Sequence, residues 1–194
     1  MYYIYLHGFN SAYGSDSQKV VDLSTIGEVS GITYDTFDTF SNIFKYIVSQ
    51  VPDSSDVVFV GTSLGGFWAA QMGHYFGVPS IIINPCTDPF TMLRKYVGMP
   101  QVNYQTGEEQ VLTDRDVDTY YTAPLKSCKK TFGVLPLVLL DMGDAVIASR
   151  ETVVTLEGFP TNTWEGGSHR FEHMKEALEH IAAYVNHASY VCNT

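Results

Sequence analysis

Basic residues are scarce in this chain. Lysine and arginine together number 11 against 21 aspartates and glutamates, for a formal net charge of −10 at neutral pH. Nucleic acid and anionic membrane surfaces both need clustered cations on the protein. The doublet Lys129-Lys130, with Lys126 nearby, reads as a solvated face, so neither is an expected partner. Cysteine is nearly absent: Cys86, Cys128 and Cys192 show no C-x-x-C spacing and no companion His or Asp grouping. That argues against a zinc site and against a disulfide framework. Apolar runs fall far short of a membrane span, and the amino terminus has no basic region ahead of its short, β-like apolar stretch. The expectation is a cytoplasmic protein without metal or cofactor.

What the chain does have suits one globular domain. It is 194 residues long and 45% hydrophobic, enough for one sizeable core, so residues 1–194 are expected to form a single unit. Its 13 tyrosines and 11 phenylalanines are core or rim packing for the most part. β-Branched and aromatic runs alternate with segments of helical period, the pattern of a mostly parallel sheet covered by helices on both faces. The runs predict strands at residues 2–6, 31–34, 56–60, 79–84, 134–140 and 160–164. In the last helix Met174, Leu178, Ile181, Ala182 and Val185 recur at helical spacing and should dock on the sheet, leaving Lys175, Glu176, Glu179 and His180 in water. Ile43, Phe44, Ile47 and Val48 form a shorter stripe of the same kind.

One segment breaks the alternation. Roughly fifty residues separate Asn84-Pro85 from the strand near Val134, more than a crossover needs, and such a length in a compact domain suits a lid or binding element. Residues 86–130 are therefore expected to be a lid-like insertion, with Phe90, Met92, Tyr96 and Tyr104 as candidate substrate contacts. Glu108, Glu109, Asp114, Asp116 and Asp118 also fall here and would repel an anionic substrate if they faced the pocket.

The chemistry is concentrated at Gly61-Thr62-Ser63-Leu64-Gly65, which lies between the run Asp56–Val60 and the helix-forming Phe67-Trp68-Ala69-Ala70. In a strand-turn-helix context the flanking glycines permit a sharp turn that projects the serine hydroxyl toward a substrate. Asp144 follows the next long apolar run, and His169 lies in Gly166-Gly167-Ser168-His169. Serine, acid, histidine is the chain order of α/β-hydrolases. Asp141 is a rival acid nearer the strand end, free to bond local backbone instead, and His173 is a rival base. Upstream, Tyr3–Leu6 runs into His7-Gly8-Phe9. Such a junction supplies one backbone N–H to a developing oxyanion, here Phe9, with Leu64 as the second donor.

These landmarks in order, Leu6–Ser11, Val60–Phe67, Asn84-Pro85 with Pro89-Phe90, Asn103–Glu108, Gly143-Asp144 and Gly167–His169, resemble the YqiA-type small bacterial esterases, a compact branch of the α/β-hydrolase superfamily. The resemblance spans nearly the whole chain. It implies a compact α/β-hydrolase fold and serine-dependent cleavage of carboxylic esters or thioesters, with Ser63 as nucleophile, Asp144 as acid and His169 as base. Thr62 stands where a smaller residue is common, and Arg170-Phe171-Glu172-His173 departs from the usual sequence after the base, so pocket shape does not carry over. The expected partner is a small acyl ester or thioester. A net charge of −10 favours neutral esters over coenzyme A thioesters unless Lys126, Lys129 and Lys130 line the entrance. The rival readings are an acyl-CoA thioesterase on the same triad and a non-catalytic binding module on the same fold.

Overall fold

The computed structural model describes residues 1–53, 56–104, 106–121, 125 and 134–192, with side chains to residue 188. Among the described residues six strands form one sheet: β1 (Tyr2–Leu6), β2 (Glu28–Ile32), β3 (Val57–Thr62), β4 (Ser80–Ile83), β7 (Leu137–Asp141) and β8 (Thr161–Trp164). Their order is β2-β1-β3-β4-β7-β8 and every pairing is parallel.

Parity along the strands explains the two layers. Ile4, Leu6, Val57, Phe59, Ile82, Val138 and Leu140 point to one face. There they meet α2 (Phe40–Gln50) through Ile43 and Ile47, and α3 (Leu64–Phe76) through Leu64, Phe67 and Trp68. Tyr3, Tyr5, Val58, Val60, Ile81, Ile83, Leu137 and Leu139 point to the other. That face is covered by α1 (Gln18–Leu23) and by α7 (Met174–Cys192), whose Met174, Ala177, Ile181 and Val185 are buried. Because both faces are covered, the central strands read as unbroken apolar runs rather than alternating ones. On α7, Lys175, Glu176 and Glu179 are exposed as expected, whereas His180 packs edge-on against Trp164.

The second strand sits earlier than the expected 31–34. Ile32 closes it, and Tyr34 leaves the sheet because its N–H donates to His7 Nε2 (3.1 Å) and its hydroxyl to the His7 carbonyl (2.5 Å). A β-branched run therefore overshoots the ladder by two residues.

Residues 86–104 and 106–121 hold α4 (Pro89–Leu93), a 3₁₀ turn at Arg94–Tyr96, an antiparallel pair β5 (Pro100–Val102) and β6 (Glu109–Val111), and α5 (Asp114–Asp118). Leu93, Leu112, Val117 and Tyr120 anchor this segment in the α2/α3-side core. A short α6 (Ser149–Thr155) links β7 to β8. From β1 the chain goes to the β2 edge, and from β3 it goes the opposite way to β4. The crevice beyond the carboxyl ends of β1 and β3 is thus a topological switch point, where open α/β sheets bind ligands.

Candidate active site

Ser63 stands between β3 and α3 with φ 59° and ψ −123°, a conformation that β-carbon sterics make costly for any residue but glycine. Several bonds hold it there. Its N–H donates to Ile83 O (3.0 Å), and its carbonyl accepts from the N–H groups of Gly66 (3.0 Å) and Cys86 (2.9 Å). The flanking glycines are required by close approach. A Cβ on Gly61 would lie 2.0 Å from the Gly65 carbonyl, and one on Gly65 would lie 2.0 Å from Leu6 O in β1.

The two acid candidates each take one of the two histidines. Asp144 Oδ2 accepts from His169 Nδ1 at 2.7 Å while Oδ1 accepts from the Val146 and Ile147 N–H groups (2.7 and 2.9 Å). An aspartate held this way cannot turn from its histidine without losing both backbone bonds. Since the carboxylate accepts, the ring proton is on Nδ1 and Nε2 is the basic nitrogen. Asp141, fully buried at the end of β7, pairs with His173 Nδ1 (2.7 Å) and accepts from the N–H groups of Ser168 (3.1 Å) and Glu172 (2.7 Å). This bond raises the His173 pKa above its ordinary value. Asp141 therefore ties down the turn that carries His169. Gly167, at φ +69°, lies so close that a Cβ would fall 1.9 Å from Asp141 Oδ2. Asn84 completes the clamp, accepting from Asp141 N (2.9 Å) and donating to Ser168 O (3.0 Å).

His7 is buried and works locally. Nε2 accepts from Tyr34 N, so Nδ1 carries the proton and donates to Gly8 O at 2.9 Å. Burial pushes its pKa down to about 4, only partly offset by the bond to the Gly8 carbonyl. In a trans peptide C=O and N–H point opposite ways, so fixing the Gly8 carbonyl also fixes the Phe9 N–H. Gly8 lies against the serine: a Cβ there would be 3.9 Å from Ser63 Oγ. Leu64 is the first residue of α3, and its N–H has no helix carbonyl to bond.

A cleft of about 430 Å³ opens here, and Gly8, Phe9, Ser63 and His169 all line it. Met92 and Tyr96 reach it from the inserted segment, and Val146 and Ile147 from the turn after Asp144. Phe90 does not line it; its ring meets Tyr121 and the Arg94 guanidinium. Tyr104 is exposed, its N–H bonded to Asn10 Oδ1. Thr62 lines the cleft with its hydroxyl paired to Tyr5 at 2.7 Å.

Among the described residues no carboxylate lines the cleft. Glu108, Glu109, Asp114, Asp116 and Asp118 lie elsewhere, Asp114 and Asp118 being paired with Arg94. Lys126, Lys129 and Lys130 lie outside the described residues. Among the described residues, the lysine and arginine that line the cleft are Lys19 and Arg170, joined by a 2.6 Å bond from Lys19 Nζ to the Arg170 carbonyl. Burial and the neighbouring guanidinium push the Lys19 pKa down to about 8. Sequence reasoning missed this pair, as it missed Asn84 and the Asp141 clamp. Only the unusual Arg170 after the histidine hinted at it.

Comparison with known proteins agrees with this architecture. A sequence model of the family described as "Uncharacterised protein family (UPF0227)" matches residues 2–186. Two UPF0227 proteins are similar throughout: one from Vibrio atlanticus, 25% identical, with 94% of this chain and 98% of that one aligned, and one from Serratia proteamaculans, 26% identical, with 93% and 97% aligned. Among solved structures, Est1E from Butyrivibrio proteoclasticus superposes with a TM-score of 0.70 at 16% identity, covering 100% of this chain and 88% of its own. Mouse alpha/beta hydrolase domain-containing protein 10 gives 0.71 at 14% identity, covering 96% and 90%. The α/β-hydrolase fold is thereby shown.

Proposed function

From the premise that this chain belongs to the UPF0227 family and has the α/β-hydrolase fold, we propose that it is a serine hydrolase cleaving carboxylic esters of small acyl substrates through an acyl-enzyme. The observation that carries the reading is the 2.7 Å Asp144–His169 pair opening on the same cleft as a serine held at a strained strand-to-helix turn.

In this reading His169 Nε2 takes the Ser63 proton as Oγ attacks the acyl carbon. Asp144 keeps the proton on Nδ1 and stabilises the imidazolium that forms. The carbonyl oxygen becomes an oxyanion facing the N–H groups of Phe9 and Leu64. Both are fixed by backbone geometry, so little reorganisation is needed as charge develops. The imidazolium then gives its proton to the leaving group, and a water activated by the same nitrogen releases the acid. Met92 and Tyr96 provide apolar contact for the acyl chain, each buried methylene contributing about 0.8 kcal/mol until the space is filled. Within the lid-like segment 86–130, of which residues 105, 122–124 and 126–130 lie outside the described residues, Leu93, Leu112, Val117 and Tyr120 are buried in the core, so its described part acts as a fixed cover.

A fluorophosphonate tests the nucleophile directly. It should attach to Ser63 in the wild type and fail to attach in Ser63→Ala, whose ester turnover should fall by several orders of magnitude to the residue left by the oxyanion donors. Labelling at another serine, or full turnover in the alanine variant, overturns the assignment of Ser63, whereas a wild type with neither labelling nor turnover favours a binding module.

A further inference from the structure

The charge of the cleft is opposite to that of the protein. Against a formal net charge of −10, the described residues that line the cleft include Lys19 and Arg170 and no carboxylate. Among the described residues neither cation has a carboxylate oxygen within 4.0 Å. Lys19 spends one ammonium hydrogen on the Arg170 carbonyl, leaving two donors. Burial of the lysine first, and the Arg170 charge second, push its pKa down to about 8, with Asp141 offsetting only part of this. The carboxylate that does act on Lys19, Asp141, is already engaged by His173 and by the N–H groups of Ser168 and Glu172, so neither cation has a partner of its own among the described carboxylates. An anion entering the cleft would supply one.

The position of the pair says which part of a substrate carries that anion. Arg170 directly follows His169, and Lys19 is bonded to the Arg170 carbonyl. The histidine must reach the leaving oxygen to protonate it, so the leaving group lies on the His169 side, where the cations are. The apolar contacts Phe9, Met92 and Tyr96 remain for the acyl chain. We propose that Lys19 and Arg170 form an anion-binding subsite on the leaving-group side of the cleft, and that the preferred substrates are esters whose alcohol portion bears a carboxylate or phosphate group. The inference rests on the serine hydrolase reading for its orientation, while the subsite itself rests on the cleft's charge.

Matched aryl butanoates test it. The kcat/KM values of 4-carboxyphenyl and 4-phosphonophenyl butanoate are compared with that of the neutral 4-(methoxycarbonyl)phenyl butanoate, each normalised by its hydroxide-catalysed rate to remove leaving-group differences. The anionic esters should be favoured by about tenfold or more, chiefly through KM, and the carboxylate and phosphonate arms rank the two anions. Arg170→Gln and Lys19→Gln should each shrink the ratio, and Arg170→Glu should bring it below one. A glutarate monoester of the neutral phenol, charged on the acyl side, should gain nothing; a gain there overturns the orientation. Calorimetry with phenylphosphonate gives a readout independent of turnover: it should bind the Ser63→Ala protein and not the Ser63→Ala/Arg170→Glu double variant. Turnover of the neutral ester through Ser63 with no anion preference and no phenylphosphonate binding overturns the subsite and leaves the hydrolase reading intact. Phenylphosphonate binding without turnover of any ester or fluorophosphonate labelling upholds the subsite and overturns the hydrolase reading.

Discussion

Asp141 and Asp144 sit three positions apart and are both buried, yet they should fail differently when changed. Asp144→Asn keeps the side chain's shape and its place over the Val146 and Ile147 N–H groups but leaves His169 without its acid, so turnover should drop by orders of magnitude with little change in thermal midpoint. Asp141→Asn puts an amide among the donors of Ser168, Glu172 and His173. Hydrogen bonds to a charged group are worth about 1.5–3 kcal/mol each, so stability should fall by about 3 kcal/mol, visible in urea melts. The sequence could not separate the two, because what distinguishes them is which histidine of a turn some 25 residues later each one faces. Ser63, by contrast, was legible: strand, glycine, serine, glycine and helix are contiguous, so the local sequence contains the whole reason for the turn. His7 adds a pH signature. Its folded pKa, about 4, lies below the ordinary 6.5, so between those values the unfolded chain binds the proton more readily and stability falls as pH drops. The loss should approach about 3 kcal/mol near pH 4. His173, whose folded pKa is raised, acts with the opposite sign: its contribution is fully present below about 6.5 and is lost as pH rises through the folded value. Denaturant midpoints between pH 4 and 7 should therefore slope upward with pH, and His7→Gln should flatten that slope.

At the level of elements, the glycines of the turn separate close packing from conformational freedom. Gly65→Ala would drive a methyl into the β1 backbone at Leu6 O, and neither strand nor helix can retreat from a fully buried contact. Loss of more than about 4 kcal/mol, seen as failure to recover folded protein, is expected. Gly77→Ala at the end of α3 meets open space and only the left-handed backbone, φ +68°, so about 1 kcal/mol is expected in the same melts. The strands were largely legible because a doubly covered parallel sheet writes itself as apolar runs. The overshoot at residues 33 and 34 was not, since Tyr34 is taken from the ladder by His7, a contact 27 residues away. The inserted segment announced its length but not its content. Of its four candidate contacts Met92 and Tyr96 line the cleft, while Phe90 and Tyr104 are engaged elsewhere, a distinction made by the turn at Arg94–Tyr96 and by the hairpin that follows.

For the whole molecule, net charge proved a poor guide to the local field. The acids of the inserted segment lie away from the cleft, and the cations that reach it come from positions 19 and 170, which no local pattern could have joined. The same dispersal governs how the site comes into being. Phe9, Ser63, Asp144 and His169 are separated by most of the chain, and β1 pairs with a strand some 55 residues away. Such non-local contacts are slow to form. The two tryptophans divide the events conveniently: Trp68 is buried in the core beside β3, and Trp164 stacks on His173 next to the histidine turn. In refolding followed by stopped flow, reactivity toward a fluorophosphonate should return with the Trp164 signal and not before it; reactivity that appears with Trp68 alone would mean that Ser63 is activated without His169. During synthesis the interval is wider still. About a hundred residues separate nucleophile from base, roughly 5–20 s of elongation at about 5–20 residues per second. If Ser63 and His169 have the roles proposed for them, the emerging polypeptide carries throughout that time a serine without its base. On the proposed mechanism, a molecule still in synthesis is inert to esters until His169 has been added and the turn that carries it has folded against Asp144.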